Sequence, residues 1–336
     1  MAQGLLEMHG EIDLSQFWPG GGSDADTTKV LMNVTGSSFQ FRKDAASPFK
    51  ATHVFEGAKV RGKATKDAID KKGRVTIRLQ GIDAPELHYQ AAAAIKKSAQ
   101  TKKQHELYLK WNKPYRQPLG ETATVELSNF LRTAGEDPLP CVVRSAVNRP
   151  NEVFDTYGRF VGDIFVRIGG TETNVNTWLV EQGWALPTFY NSMSDTEIQP
   201  LIDAGNDAYH ADRGVWHFLA DQVGRLDFSL VYRGEGVPIQ PDGGPVVFPK
   251  LFRRLAGWEV NKRSEMFSGN FSKFLKEQKS VCFETQDFLA QDRAATPRDL
   301  SEFVDADGTI LVWPEELVFK EDPSFLIVKG GGTPKW

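Results

Sequence analysis

The sequence predicts an α+β fold in which a small, closed five-stranded β-barrel carries three helices packed on one side. Apolar and β-branched residues predict strands in three segments: 51–81, 141–144 and 160–166. Helical apolar spacing occurs in three other segments: 120–134, 174–181 and 196–211. The order along the chain is strands, helix, strands, helix, helix, which is typical of an OB-fold elaborated by helices.

The first helix shows how these elements are predicted. Ala123, Leu127 and Leu131 recur at helical spacing after Gly120, and Gly135 ends the pattern. Near the N-terminus, segments 30–34 and 39–42 are strand-like and separated by a Gly-Ser break, which predicts a short hairpin.

Changes in composition divide the chain into four parts. Residues 1–49 are predicted to form an N-terminal β extension, and residues 50–218 the barrel domain. Pro and Gly residues mark a linker at 219–246. Residues 247–336 are predicted to be a C-terminal α+β region, with a helix near 273–278 and strands near 310–313 and 325–328.

The bulk composition is that of a globular protein, with 336 residues, 40% hydrophobic and 25% charged. No apolar run is long enough for a membrane span, and Glu7 interrupts the N-terminus where a secretory signal would be apolar. We therefore expect a cytoplasmic protein without a membrane partner. Cys141 and Cys282 lie far apart in the sequence and suggest neither a disulfide nor a zinc site.

Positive charge is concentrated in one part of an acidic chain. Residues 50–119 contain 16 Lys and Arg but only 6 Asp and Glu, although the whole chain has a net charge of −4. Such a segment suits phosphate binding, while a solvated face is the alternative. Within it, Lys96, Lys97, Lys102 and Lys103 are predicted to follow the backbone of a nucleic-acid substrate.

A strand that ends in a charged turn is the most specific motif. Arg78 precedes Asp83 and Glu86 in the string R-L-Q-G-I-D-A-P-E. The turn set by Pro85 allows the three charged groups to converge on one point. The alternative is a salt bridge at the end of a strand, with Glu86 capping the turn.

Two further strings follow in order. D-T-Y-G-R at 155–159 precedes a strand, and V-N-T-W-L-V-E-Q-G-W-A at 175–185 forms a helix with a glycine end. Alone, the first reads as a hairpin turn and the second as a packing helix. With the Arg78 strand and the later G-V-W at 214–216, they resemble the staphylococcal nuclease (thermonuclease) family over roughly half of the chain.

The resemblance implies a metal-dependent nuclease that hydrolyses DNA, RNA or both. In it Glu86 would be the general base, and Arg78 and Arg159 would bind the phosphate and stabilise the transition state. Tyr157 would contact the terminal phosphate, and Phe189 or Tyr190 would stack on a base. Core packing is the alternative for these aromatic residues.

The resemblance also implies Ca²⁺, with Mg²⁺ or another divalent ion as alternatives. Asp83 and the backbone oxygen of Ala84 match ligand positions, but Ala58 stands where the second carboxylate is expected. The turn D-A-D-T near the N-terminus resembles the missing one. If an inserted double hairpin separates it from the Arg78 strand, Asp26 supplies that carboxylate; otherwise it belongs to an acidic surface turn.

Two other functions stay open. A barrel of this type that cannot bind metal would be a nucleic-acid-binding or scaffold module without activity. Alternatively, the C-terminal region would dock a protein partner, with the nuclease as its effector.

Overall fold

The computed structural model describes residues 4–17, 19–32, 38–235, 243–291, 295–322 and 324–328. Within them the α-helices are α1 (Lys102–Trp111), α2 (Gly120–Arg132), α3 (Val175–Glu181), α4 (Asp195–His210), α5 (Pro249–Arg263), α6 (Phe271–Glu277) and α7 (Thr285–Gln291). The strands are β1 (Leu5–Ile12), β2 (Thr27–Met32), β3 (Phe39–Arg42), β4 (Lys50–Ala51), β5 (Lys59–Arg61), β6 (Thr65–Asp67), β7 (Arg74–Leu79), β8 (Ile82–Asp83), β9 (Leu139–Ala146), β10 (Phe160–Ile168), β11 (Thr171–Asn174), β12 (Leu186–Pro187), β13 (Phe189–Tyr190), β14 (Val281–Glu284), β15 (Arg298–Asp299), β16 (Leu317–Phe319) and β17 (Phe325–Ile327).

Five strands close the barrel. The ring runs β1–β2–β7–β10–β9 and returns to β1, with β7 and β10 parallel and the other pairs antiparallel. Alternate residues of β1, β9 and β10 are buried, as expected for strands with one face on a core. The predicted five-stranded OB-type barrel is therefore confirmed.

The barrel takes two of its strands from the range predicted to be an extension, 1–49. Strand β1 is paired with β9 along its whole length, and β2 is paired with β7. Residues 33–73 form an insertion between β2 and β7, so the barrel strands are far apart in sequence. The barrel therefore begins at β1 and not at residue 50. The division of the chain into four parts stays a proposal.

The insertion does not form the predicted hairpin. Strand β3 pairs with β1 and β4, while β2 pairs with β1 and β7. Residues 33–37 of that prediction lie outside the described residues. Strands β5 and β6 form a hairpin that pairs with β17 from the end of the chain.

The three predicted helices of the barrel domain are present as α2, α3 and α4. Gly135 and Gly183 follow two of them with φ of +78° and +71°, a conformation that glycine adopts without strain. Ser194 and Glu197 form a capping box at the start of α4. None of the described helices has the length and apolar character needed to cross a membrane.

The C-terminal region packs on the barrel domain. Strand β16 extends β13 of the barrel domain into a sheet with β14 and β15. Leu251, Phe252 and Leu255 of α5 form a second core together with Leu119 and Val215 of the barrel domain. Residues 310–313, predicted as a strand, contribute only an isolated bridge. This packing places the first turns of α5 against the rim of the barrel.

Candidate active site

Arg78 lies at the centre of a buried cluster of charges. It is 8% exposed near the end of β7, and Gly81, with φ of +74°, turns the chain into β8. Its guanidinium contacts the carboxylate of Asp83 at 2.6 Å and that of Asp26 at 3.1 Å. Both readings of this motif, the catalytic turn and the salt bridge at the end of a strand, contain the contact between Arg78 and Asp83.

Asp26 reaches the cluster because β2 pairs with β7. Thr27 lies opposite Arg78 in the register, so the preceding Asp26 lies beside the turn after β7. Asp26 Oδ2 accepts a hydrogen bond from the backbone N–H of Ala84 at 2.9 Å, and its Oδ1 accepts one from the Thr27 hydroxyl at 3.0 Å. Ala58, the local alternative, is buried in the barrel core. The structure thus brings Asp26 and Asp83 to one guanidinium.

Arg159 joins the same site from the loop before β10. Asp155 shapes this loop by accepting hydrogen bonds from the backbone N–H groups of Tyr157 and Arg159, both at 2.9 Å. The Arg159 side chain pairs with Asp155 at 2.7 Å and donates to the Thr27 hydroxyl at 3.2 Å. Thr27 therefore connects Arg159 to Asp26.

A third guanidinium comes from the C-terminal region. Arg253 of α5 contacts Asp83 Oδ2 at 2.9 Å and Oδ1 at 3.4 Å, and it also forms an ion pair with Glu86. Burial opposes the ionisation of Asp83, but Arg253 and Arg78 outweigh it and lower the pKa of that carboxyl. Asp83 is thus held as an anion between two arginines.

Glu86 and Asp24 have raised pKa values. Burial raises the pKa of Glu86 to about 7, with Asp24 and Asp83 adding to the shift and Arg253 opposing it. Burial raises the pKa of Asp24 to about 6, partly offset by His88. Asp24, Asp26, Asp83 and Glu86 therefore share a site with three arginines, Arg78, Arg159 and Arg253.

These residues suit a divalent cation by their chemistry, since carboxylate oxygens are the ligands that Ca²⁺ prefers and acidic groups outnumber the arginines. Their arrangement holds guanidinium groups instead. Every carboxylate oxygen of Asp26 and Asp83 accepts a hydrogen bond from a protein donor. Within the described residues, no three Asp, Glu, His or Cys side chains form a group ready to hold an ion.

A cavity of about 1150 Å³ opens over this cluster. Tyr157 and Tyr190 line it together with Arg159. The cations that line it come from the insertion, the barrel and the C-terminal region: Lys29, Lys59, Lys63, Lys66, Lys71, Lys72, Arg74, Arg78, Arg159, Lys250, Arg253, Arg254 and Lys320. Eight carboxylates line it as well, against 13 cations, and this excess of positive charge attracts a polyanion.

Phe189 does not reach the cavity. It is 0% exposed in the core, while its neighbour Tyr190 lines the cavity, because successive residues of a strand point to opposite faces. The burial of Phe189 fits the alternative of core packing, and base stacking by Tyr190 stays a prediction.

The four lysines predicted to follow the substrate lie elsewhere. Lys96, Lys97, Lys102 and Lys103 are exposed on and before α1, outside the residues that line the cavity. Lys103 forms an ion pair with Glu265 at 2.6 Å. Their binding to a longer substrate stays a prediction.

The sequence interpretation missed α5 and its cations. Lys250, Arg253 and Arg254 lie on one face in its first turns. Cations are disfavoured near a helix N-terminus, where the macrodipole is positive, so three of them there are a signal of function. Burial, together with Arg253 and Arg254, lowers the pKa of Lys250 to about 7.

A closed barrel of five strands, with helices packed on it and a charged turn at its rim, is an OB-type barrel. The model of the staphylococcal nuclease homologue family matches residues 76–218. These residues form a staphylococcal nuclease homologue domain, as the sequence predicts. The match begins within β7, so β1, β2 and Asp26 precede it. No curated protein matches the chain.

Proposed function

We propose that the protein hydrolyses phosphodiester bonds of DNA or RNA in the cavity over Arg78. The observation that carries this proposal is that Glu86, Arg78 and Arg159 all line one cavity with an excess of cations. A binding module needs the positive charge but has no use for a buried acid with a pKa of about 7 beside it.

Glu86 is proposed as the general base that takes a proton from the attacking water. A base is most effective when its pKa lies near the working pH, and the pKa of Glu86 is about 7. Its side chain is 13% exposed, so the carboxylate reaches the cavity. Gln117 fixes the turn, since its side-chain oxygen accepts a hydrogen bond from the Glu86 N–H at 3.2 Å.

The arginines are proposed to supply positive charge where the phosphate gains negative charge. Arg159 is 27% exposed and can turn one face of its guanidinium to the substrate. Arg78 is more buried and orients Asp26 and Asp83 while adding charge to the site. Tyr157 is 48% exposed beside Arg159, where it can contact a phosphate, and Tyr190 offers a ring to a base.

Calcium, or Mg²⁺ in its place, is proposed as the cofactor that the family resemblance implies. Asp26 and Asp83 would hold the ion. When bound, it would neutralise phosphate charge and favour ionisation of water. Ion binding requires these carboxylates to exchange the hydrogen bonds that they make in the described structure.

A binding module without hydrolysis is the second candidate. The ion pair between Arg253 and Glu86 favours it, because a base engaged with a guanidinium is less available to water. A protein partner for the C-terminal region stays a proposal.

The test is cleavage of labelled single- and double-stranded DNA and RNA, each with Ca²⁺, with Mg²⁺ and with EDTA. Hydrolysis that Glu86→Gln abolishes supports the nuclease. Binding of the same substrates without cleavage under any of these conditions supports the binding module.

A further inference from the structure

The guanidinium of Arg253 lies between Asp83 and Glu86. Its two terminal nitrogens span Asp83 and Glu86, and the side chain is 27% exposed at the edge of the cavity. It comes from α5, 170 residues after Asp83 in the sequence. The C-terminal region thus provides a positive charge that the barrel domain does not contain.

A guanidinium and a divalent ion cannot share Asp83 in this arrangement. Both Asp83 oxygens already accept hydrogen bonds, from Arg78 and from Arg253. A calcium ion needs these oxygens at about 2.3–2.6 Å, which would place it in contact with the Arg253 guanidinium. Like charges at that distance repel strongly in a buried site.

Arg253 can leave without movement of its helix. Leu251, Phe252 and Leu255 anchor α5 in the second core, and Gln117 donates to the Val247 carbonyl at 2.7 Å just before the helix. The cavity beside Arg253 has room for a rotated side chain. If the Arg253 side chain rotates, its guanidinium leaves Asp83 and Glu86 and lies in the cavity.

We propose that Arg253 competes with the divalent cation for Asp83, so that the C-terminal region controls metal loading of the nuclease site. The inference rests on the metal site of the proposed function and deepens it. Arg253 occupies the carboxylates until an ion displaces it. Metal affinity is thereby set by a residue outside the matched domain.

Calcium binding to the full-length protein tests this, by calorimetry and by terbium luminescence as an independent probe. Arg253→Gln removes the competing charge, and we expect calcium to bind at least about tenfold more tightly than to the wild type. Arg263→Gln is the matched control, because it removes the same charge from the same helix while its guanidinium pairs with Glu259, outside the residues that line the cavity. Its calcium affinity should stay within about twofold of the wild type, since screening weakens the effect of a more distant charge.

Arg253→Lys is the second variant, and it replaces Arg253→Gln in the binding measurement if Arg253→Gln does not fold. An ammonium group cannot span two carboxylates as a guanidinium does, so calcium affinity should again exceed that of the wild type. Equal affinity in the wild type and the Arg253 variants overturns the proposal, as does an equal gain from Arg263→Gln. Because the readout is binding, a gain at Arg253 without any cleavage leaves this inference standing while the proposed hydrolysis fails.

Discussion

The Asp26 carboxylate accepts a hydrogen bond from the backbone N–H of Ala84 at 2.9 Å, across 58 positions of sequence. This bond joins the start of β2 to the turn that carries Asp83 and Glu86. Arg78 forms ion pairs with both carboxylates, Asp26 and Asp83. The N-terminal strands thus contribute directly to the candidate site.

Asp26→Asn tests the contribution of that carboxylate. The amide oxygen can keep the bond to Ala84, but one negative charge is removed. We expect the calcium concentration for half-maximal cleavage to rise by about tenfold or more, since a metal site loses a hard charged ligand. Titration of cleavage against calcium measures it. Asp207→Asn, at an exposed carboxylate on α4, is the control, and an unchanged calcium requirement for Asp26→Asn would remove Asp26 from the site.

Glu86→Gln tests the general base. The amide cannot take a proton, so turnover should fall by roughly two to four orders of magnitude while substrate affinity is retained. Single-turnover cleavage and filter binding give the two quantities. Glu106→Gln, on the exposed face of α1, should cleave like the wild type. Cleavage by Glu86→Gln at the wild-type rate would contradict the assignment.

Three lysines of the insertion test whether the cavity binds the phosphates of a nucleic acid. Lys59, Lys63 and Lys66 line the cavity from β5, β6 and the turn between them. Affinity falls as salt rises, and changing all three lysines to Gln should make this dependence less steep. The log–log slope should lose about 0.7 to 0.9 in magnitude for each phosphate that the variant no longer neutralises.

The exposed lysines near α1 provide the comparison for that experiment. For an oligonucleotide short enough to lie within the cavity, changing Lys96, Lys97, Lys102 and Lys103 to Gln should leave the slope unchanged. With a longer substrate the same changes should make the salt dependence less steep if these lysines follow its backbone as predicted. A slope that none of the seven changes affects would mean that all of these lysines are only solvated.

Asp163 gives a prediction for stability against pH. Burial, reinforced by Glu197, raises the pKa of this β10 carboxyl to about 7, above the unfolded value of 3.8. The folded state therefore binds the proton more tightly than the unfolded state. Its contribution to stability is complete below about pH 4 and is lost as the pH rises through about 7.

Asp163→Asn should remove this pH dependence. The new amide oxygen can still accept the hydrogen bond from Asn176, which is 2.7 Å long in the described structure. The free energy of unfolding, measured by denaturant titration between pH 5 and 8, should then fall less with rising pH than in the wild type. Asp203→Asn, at an exposed position on α4, should retain the wild-type dependence. Identical profiles for Asp163→Asn and the wild type would contradict the raised pKa.

The sequence predicts those parts of the site that lie in short, ordered motifs. Arg78, Asp83 and Glu86 share one strand and turn, and Arg159 follows a loop shaped by its own Asp155. Local hydrogen bonds and turn residues determine such geometry, so sequence reasoning can reach it. Asp26 was predictable because its turn resembles the family motif even though an insertion separates it from the Arg78 strand.

The rest depends on contacts between distant parts of the chain. The insertion separates β2 from β7, and this spacing made the N-terminal strands look like an extension. Arg253 meets Asp83 only because α5 packs in a core shared with the barrel domain. No local pattern contains that information. For Phe189 and Tyr190, the side that each residue faces depends on which face of β13 packs on the core, and distant residues decide that.

The closed ring of strands has a consequence for any shortened form of the protein. The matched range, 76–218, contains β9, β10 and most of β7, but neither β1 nor β2. A fragment cut at those limits would expose the unpaired backbone edges of β7 and β9, and such edges pair readily with those of other molecules. We expect this fragment to aggregate, whereas one that begins before Leu5 retains all five barrel strands.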